Sequence, residues 1–312
     1  MDISPEGTSY LGYEKIPLSS SRWKEIPKDK HMKWYVTEKI HGSCFCFLYF
    51  HPTQEIKFAK RSKLIRDDEY FFGFRDILED LLPKLQHAFH LTLDTIRSPV
   101  TKIMIYGELF GGSYPNISSS YKPVQSGIYY SPNIHFYAFD ISYEINEKEV
   151  YIDYERSIEI FRQSSLFFAE PLASYTNFEK AVQYKIGFNS TIPRKLGLPD
   201  IGVNKAEGIV VRSGKGHYLL KIKIPEFSES KYDDNDYDEK DQTDPIGSFK
   251  RLAVTHMTEN RLNNAISKVG EFDKNQEEIF ELFVDDILLE INGFHIQGLR
   301  EYLLEEANKR FR

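Results

Sequence analysis

The sequence contains only two cysteines, Cys44 and Cys46, among 312 residues. Side chains two positions apart on a strand project the same way, and such a pair cannot easily close a disulfide. We therefore expect two free thiols and a reducing compartment. The chain also lacks any run of about 18 uncharged apolar residues, so the sequence offers no candidate membrane-spanning helix.

The first 21 residues contain three carboxylates and no apolar stretch, which argues against a secretory signal or an Arg-rich transit peptide. We expect a cytoplasmic or nuclear monomer that has no membrane partner. The hydrophobic fraction of 41% is enough for a packed core, and the length suits one large domain with or without a smaller one.

The chain also has fewer basic than acidic residues, and its formal net charge is −7. The deficit is concentrated in residues 233–244, which hold seven carboxylates and one lysine and leave the rest of the chain at −1. A nearly neutral body can carry a basic groove, so the net charge does not exclude a nucleic-acid substrate.

Strand-like stretches between residues 32 and 227 do not alternate regularly with helices, which predicts an α+β fold with antiparallel sheets. Strands are predicted at 31–50 (broken at His41-Gly42), 102–106, 134–143, 208–212 and 218–224. Helical spacing covers 67–91, where Pro83 predicts a kink or a split. Residues 229–245 are acidic and predict a linker, and amphipathic segments at 249–269, 277–291 and 298–311 predict a small all-α domain over 246–312.

The segment Thr37–Gly42 places a lysine at the end of an apolar strand and beside a turn. A lysine amine is nucleophilic only when it is neutral, which burial or a neighbouring cation favours. Lys39 is thus a candidate nucleophile, and Gly42 allows the backbone to approach a ligand closely. A lysine that merely caps a hairpin is the alternative.

Cations and carboxylates follow other predicted strands. Lys60 and Arg61 suit ribose or phosphate contacts, although a solvated basic turn would have the same sequence. Glu108 lies between glycines, where it could bind a ribose hydroxyl or a metal ion, or simply belong to a turn.

Phe139 and Asp140 pair a ring that could stack on a purine with a carboxylate, although a core aromatic is an equally simple interpretation. Alternation along 219–224 turns Lys221 and Lys223 to one face, opposite Leu220 and Ile222. Their roots lie about 7 Å apart, so they could straddle a phosphate, or they could lie on an ordinary solvent face.

Together these residues supply an amine nucleophile, cations for phosphates, acids for ribose and metal, and an aromatic ring for a base. Nucleotidyl transfer needs this set, because it depends on positioning and on charge neutralisation around phosphorus.

The order of these segments resembles the motif series of the covalent nucleotidyltransferases. The matching stretches are Glu-Lys-Ile-His-Gly, Lys-Arg-Ser, Gly-Glu-Leu-Phe-Gly-Gly, Phe-Asp, Ala-Glu-Gly-Ile-Val-Val-Arg and Leu-Lys-Ile-Lys. A histidine at position 41, where DNA ligases and capping enzymes usually have Asp, resembles the RNA ligase 2 family of phage enzymes and kinetoplastid editing ligases. Residues 124–128, 258–261 and 267–268 match as well, and the resemblance covers about residues 30 to 270.

The resemblance implies a nucleotidyltransferase (adenylation) domain over 1–228, an ATP-grasp-like ligase domain of antiparallel sheets with helices, and an RNA-engaging helical domain after the linker. It implies an ATP-dependent RNA ligase that joins 3′-hydroxyl and 5′-phosphate ends, most simply at nicks in duplex RNA, through lysyl-AMP and AMP-RNA intermediates. The implied catalytic residues are Lys39, His41, Lys221 and Lys223.

The resemblance also implies which residues bind ATP and a divalent metal ion, Mg²⁺ or Mn²⁺. Glu207 would hold the metal ion, Gln125 and Arg212 would contribute, Arg61 and Glu108 would contact the ribose, Phe139 would stack on adenine and Glu38 would frame it. The full nucleotide-binding set is Glu38, Lys39, Lys60, Arg61, Glu108, Phe139, Asp140, Glu207, Lys221 and Lys223.

Two alternatives stay open at this point. A DNA ligase or a GTP-dependent mRNA capping enzyme would carry the same motifs, but His41 and the helical pattern of the 88 residues after Ile224 argue against it. A non-catalytic RNA-binding protein would not need an intact set of lysines and acids.

Overall fold

The computed structural model describes residues 10–17, 32–227, 250, 253–254, 256–291 and 298–311. The chain divides into two compact units, Met1–Ile224 and Pro225–Arg312. The predicted acidic linker at 229–245 lies outside the described residues, and the predicted domain bounds stay predictions.

The first unit contains two antiparallel sheets, and the predicted α+β class is confirmed. A four-stranded sheet has the order β7-β1-β8-β9, and a five-stranded sheet has the order β3-β2-β4-β5-β6. The strands are β1 Trp34–Lys39, β2 Ser43–Phe50, β3 Glu55–Lys60, β4 Lys102–Ser113, β5 Ser131–Ile145, β6 Lys148–Tyr151, β7 Pro171–Tyr175, β8 Gly208–Ser213 and β9 Leu219–Lys223.

The prediction placed one helix in this unit, at 67–91, and the residues that the structure describes form four. They are α1 Leu78–Thr95, α2 Tyr154–Gln163, α3 Phe178–Val182 and α4 Ile192–Lys195, with 3-10 turns at Phe74–Ile77 and, in the second unit, Pro225–Phe227. Residues 67–73 form turns rather than a helix, because Phe72 and Gly73 have positive φ angles of 47° and 67°. Helix α1 continues through Pro83, since packing of its buried face offsets the one backbone hydrogen bond that proline removes.

The two faces of the four-stranded sheet pack against different partners. Val36, Ile209 and Leu220 belong to a cluster on one face. Val210 and Leu219 pack on the other face with residues of the five-stranded sheet, so this cluster joins the two sheets. Alternation places Lys39, Lys221 and Lys223 on the joining face, as predicted for the two β9 lysines.

Helices α5 Glu259–Val269, α6 Phe272–Glu290 and α7 Leu299–Phe311 share an apolar core in the second unit, which confirms the predicted all-α character. Helix α5 begins after its N-cap Thr258, whose side chain accepts the Arg261 backbone N–H. Residues 250, 253 and 254 are also helical, so the predicted segment 249–269 is interrupted at 256–258 rather than continuous.

Both cysteines are free thiols, as predicted. Within the described residues, no helix is long and apolar enough to cross a membrane.

Arg261 provides a test of the core of the second unit. Only 1% of this side chain is exposed, and its guanidinium pairs with the Asp286 carboxylate. We expect Arg261→Ala to lower the free energy of unfolding by about 3–5 kcal/mol, because it leaves a largely buried carboxylate without its main partner. Urea denaturation is the measurement, with the exposed Arg310→Ala as control, and equal small losses in both variants would contradict the buried pair.

Candidate active site

The centre of the candidate site is the carboxylate of Glu207, which is 1% exposed. The Lys39 Nζ lies 2.7 Å from Oε2, and the Lys223 Nζ lies 2.9 Å from Oε1. The His41 Nδ1 lies 3.5 Å from Oε2. Three of the four residues predicted to be catalytic thus meet at one carboxylate.

The register of three strands produces this arrangement. Lys39 at the end of β1 and Lys223 at the end of β9 are both paired with Gly208, the first residue of β8. No side chain therefore separates the two lysines on this face, and Glu207 lies between them. A Cβ at Gly208 would lie 2.0 Å from the Ile222 carbonyl oxygen, so the close approach of β9 requires glycine.

Electrostatics fix the charge of Glu207. Burial alone would raise its pKa, but the ammonium groups of Lys223 and Lys39 outweigh burial and hold the pKa well below its usual range. Its Oε1 accepts no hydrogen bond of good geometry from the residues the structure describes, although the Lys223 ammonium lies nearby. The carboxylate is therefore ionised and has an unused acceptor position.

Glu108 on β4 is a second carboxylate near the same lysine. Burial raises its pKa to about 7, while Lys39 and Arg61 act in the opposite direction and Glu207 raises it further. The Gly42 backbone N–H donates to this carboxylate. A Cβ at Gly42 would lie 2.2 Å from the Leu109 carbonyl oxygen, so glycine lets the turn after Lys39 lie against β4.

A tyrosine that the sequence reasoning missed holds the turn from the other side. The His41 backbone N–H donates to the Tyr130 hydroxyl at 2.9 Å, and the Tyr130 ring is fully buried. No sequence pattern distinguished this tyrosine from the other 19.

The predicted cations Lys60 and Arg61 contact different partners. Arg61 exchanges hydrogen bonds with Tyr13, through its Nε at 3.3 Å and its carbonyl oxygen at 2.8 Å. The Lys60 ammonium lies 2.6 Å from Glu69 and over the Phe71 ring. Arg61 also lies close enough to Glu108 to lower its pKa, whereas Lys60 contacts a loop carboxylate and a core ring.

Phe139 and Asp140 differ in what they offer to a ligand. The Phe139 ring is half-buried, with the edge of Tyr13 at a centroid distance of 5.1 Å. Asp140 is buried, and its Oδ2 accepts from the Tyr13 hydroxyl at 2.5 Å and from Arg212 Nη2 at 3.2 Å. Burial raises the pKa of Asp140, but Arg212 and His217 lower it more.

The Asp140 contacts are therefore made with protein groups, and they tie the two sheets together. Arg212 on β8 also donates to the Phe139 carbonyl oxygen at 2.6 Å. Asp140 was predicted to belong to the nucleotide-binding set. Its contacts suit a residue that positions the neighbouring Phe139 ring better than one that touches a nucleotide directly.

Glu38 lies on the opposite face of β1 from Lys39, so its side chain does not point toward the joining face. Its carboxylate accepts from Ser190 Oγ at 2.5 Å and from the Thr191 backbone N–H at 2.8 Å and Oγ1 at 2.7 Å. Only its backbone is available to frame a base. The Ser-Thr-Ile-Pro sequence ahead of α4 is a helix-start signal that could have drawn attention to this segment.

Lys221 and Gln125 complete the predicted set. Lys221 is buried on the joining face, and its backbone N–H donates to the Pro17 carbonyl oxygen at 3.0 Å. Gln125 Nε2 donates to the Ile128 carbonyl oxygen at 3.3 Å, and its buried Oε1 accepts no hydrogen bond from the described residues.

The sequence profile of the family described as RNA ligase matches residues 32–223, which include every predicted site residue. The chain belongs to the RNA ligase family. A second profile, described as the T4 RNA ligase 2 C-terminal region, matches residues 252–308. The predicted enzyme, an ATP-dependent RNA ligase of the RNA ligase 2 and editing-ligase group with an RNA substrate, is confirmed at this level.

Individual relatives share low sequence identity with this chain. RNA-editing ligase 2, mitochondrial, of Trypanosoma brucei brucei is 27% identical over 92% of this chain and 84% of its own length. RNA-editing ligase 1, mitochondrial, of the same organism is 25% identical over 86% and 72%. A variant of Naegleria gruberi RNA ligase solved with AMP and Mn has a TM-score of 0.44 and 16% identity, covering 68% of this chain and 56% of that one.

Glu108 provides a test of the electrostatics. Because its pKa in the folded protein, about 7, lies above the ordinary 4.5, the folded state loses stability as pH rises through this interval. Glu108→Gln removes that titration, so its melting temperature should gain on that of the wild type between about pH 5 and pH 8. Thermal unfolding of both proteins is the measurement. The exposed Glu79→Gln is the control, and parallel profiles for all three proteins would contradict the raised pKa.

Proposed function

We propose that this RNA ligase stores AMP on Lys39 and seals 3′-hydroxyl and 5′-phosphate ends at nicks in duplex RNA. The observation that carries the proposal is the shared carboxylate of Glu207, with Lys39 on one oxygen and Lys223 on the other. The site therefore combines a nucleophile, a phosphate-binding cation and a metal-binding acid on one face.

In the first step the Lys39 Nζ attacks the α-phosphorus of ATP. A nitrogen–phosphorus bond forms, the bond from the α-phosphorus to the bridging oxygen breaks, and pyrophosphate leaves. The amine must give up a proton to attack. The Lys39 Nζ lies 2.7 Å from Glu207 in this structure, so the reaction requires that this pair separate and that the proton of Lys39 pass to solvent.

The donor set fits a divalent metal ion. Glu207 has an unused carboxylate acceptor, and it lies close enough to Glu108 to raise the pKa of that second carboxylate. The described residues hold no group of three or more acidic, histidine or cysteine side chains that could bind a metal alone. Glu207 would therefore share Mg²⁺ or Mn²⁺ with ATP phosphates and water, the coordination usual for Mg²⁺. Such an ion neutralises phosphate charge.

The other residues would bind the nucleotide. Arg61 and Glu108 would contact the ribose, Phe139 would stack on adenine, and Lys221 with Lys223 would hold the α-phosphate. The Lys223 ammonium lies 2.9 Å from Glu207 and would turn from this carboxylate to the α-phosphate, where charge accumulates in the transition state.

The later steps use the RNA ends. The 5′-phosphate attacks the Lys39–AMP phosphorus and releases the lysine, and the 3′-hydroxyl then displaces AMP to form the phosphodiester. His41 lies in the turn next to Lys39, with its backbone held by Tyr130, and is the candidate to orient an RNA end.

The two alternatives make different predictions. A capping enzyme would label itself with GTP, and a DNA ligase would favour nicks with DNA ends. A non-catalytic RNA-binding protein would form no covalent adduct with either nucleotide.

Lys39 is the first test of this mechanism. We expect Lys39→Ala and Lys39→Arg both to abolish covalent labelling by radioactive ATP, because a guanidinium stays protonated and cannot attack. Labelling by GTP should be weak in the wild type. An adduct that persists on Lys39→Ala, detected by mass spectrometry, would remove Lys39 from its role, and equal labelling by GTP would favour a capping enzyme.

The helical unit is proposed to engage RNA beside the site. The sequence offers Arg251, Arg261, Lys268, Arg300, Lys309 and Arg310 as phosphate contacts. Arg261 is buried on Asp286, however, and Arg300 pairs with Glu281 and Asp285. Arg251 lies outside the described residues. The buried Arg261 cannot serve as an RNA contact. Lys268 and Lys309 also lie near carboxylates, at 3.9 Å from Asp286 and 2.9 Å from Glu306, so the exposed Lys309 and Arg310 are the better candidates.

Removal of the helical unit tests this division of labour. We expect a fragment that ends at Ile224 to form Lys39–AMP at an undiminished rate, since all proposed ATP contacts lie before that residue. Sealing of nicked duplex RNA should fall, with a deficit that widens as salt rises. Gel assays of both steps are the measurement. Equal sealing by fragment and whole chain would show that the helical unit does not engage RNA.

A further inference from the structure

A cavity of about 470 Å³ lies in the first unit and contains none of the predicted site residues. Its walls come mainly from the segment 184–204, together with Tyr114 and Leu172. The volume falls in the range of pockets that hold small organic ligands, about 300–1,000 Å³. The cavity is therefore large enough for a nucleotide.

The walls are held by hydrogen bonds within the protein. Asn189 Nδ2 donates to the Gly202 carbonyl oxygen at 2.8 Å, and the Tyr114 hydroxyl donates to the Pro199 carbonyl oxygen at 2.5 Å. Glu38 fixes a third wall through Ser190 and Thr191. Because these polar groups are already satisfied, the cavity is preformed, and an occupant would not have to order it.

One cation in the wall is left without a partner. Arg194 is exposed, and its side chain makes no hydrogen bond or ion pair with any residue in the described part of the chain. The carboxylate of Asp200, the one acid in the wall, accepts the Gly202 backbone N–H at 2.8 Å. A guanidinium with all of its donors unused suits a phosphate.

Aromatic rings line the same cavity. Tyr184 and Phe188 are half-buried, and their rings meet edge to face at a centroid distance of 6.2 Å. Both also pack against the apolar cluster of the four-stranded sheet, so their positions are fixed. Exposed faces of fixed aromatic rings stack on nucleobases whatever their sequence.

One chain of contacts links the cavity to the turn after Lys39. Asn204 in the cavity wall brackets the backbone of Tyr129, accepting its N–H at 3.0 Å and donating to its carbonyl oxygen at 2.7 Å. The next residue, Tyr130, accepts the backbone N–H of His41. The cavity wall is thereby joined to the turn that carries His41, although Glu38, which holds another wall, points to the opposite face of β1 from Lys39.

We propose that this cavity binds one nucleotide of the RNA strand next to the junction, with the phosphate on Arg194 and the base on Tyr184 and Phe188. The assignment rests on the proposed function, since it takes RNA as the substrate. The unpaired guanidinium beside aromatic rings favours a nucleotide over a peptide.

The test measures RNA binding and ATP labelling separately. Arg194→Ala should raise KM for nicked duplex RNA and make its logarithmic dependence on salt shallower by about 1, because one phosphate contact is lost. Tyr184→Leu should weaken RNA binding by at least about fivefold through lost stacking. Lys39 labelling by ATP without RNA should not change in either variant. Arg97→Ala, which removes an exposed cation outside the cavity, is the matched control.

Fluorescence anisotropy of labelled nicked duplex RNA provides a readout that does not depend on sealing. If the wild type seals RNA but both variants retain its KM, salt slope and anisotropy, the cavity holds no RNA. The inference then fails while the proposed function stands. A peptide-binding cavity would give this result. If ATP labelling falls in Arg194→Ala, the cavity supports the nucleotide site instead, and the inference also fails. If the wild type seals no RNA, the proposed function fails, while the anisotropy difference between wild type and Arg194→Ala still decides the cavity.

Discussion

The buried carboxylate of Glu207 is the interaction on which the candidate site depends. An ionised acid that is 1% exposed would be costly without compensation, and here the ammonium groups of Lys39 and Lys223 provide it. The same pairing brings two distant parts of the sequence to one point. Lys39, the proposed nucleophile, is thus half of an ion pair in this structure, and the proposed reaction requires that this pair be broken.

The strands around Glu207 determine on which face of the sheet each neighbouring side chain lies. Side chains alternate along each strand, so Lys39, Lys221 and Lys223 lie on the face where the two sheets join, and Glu38 lies on the opposite face. The pair of Arg212 and Asp140 crosses between the sheets and fixes the backbone that carries the Phe139 ring. The sheet that carries the lysines and the sheet that carries the Phe139 ring are thus held together by contacts between protein groups.

The sequence was sufficient for the fold class, the two faces of β9 and the family, because each depends on local patterns. Lys-Ile-Lys alternates as any strand does, and the motif order is carried by short contiguous stretches. The sequence was not sufficient to predict contacts between residues that are far apart in the chain. Nothing local indicates that Tyr130 supports His41, that Glu38 binds Ser190 and Thr191, or that Arg261 is buried on Asp286. The helix start at 67 was wrong because two consecutive positive φ angles at Phe72 and Gly73 override the apolar spacing.

The segment 10–17 makes contacts with the motif segments from outside the matched region. The family match begins at residue 32, yet Tyr13 contacts both Arg61 and Asp140, and the Pro17 carbonyl oxygen accepts the backbone N–H of Lys221. A chain trimmed to the matched region would keep every motif and lose these contacts. The family profile therefore does not include all of the residues that hold the motif segments in place.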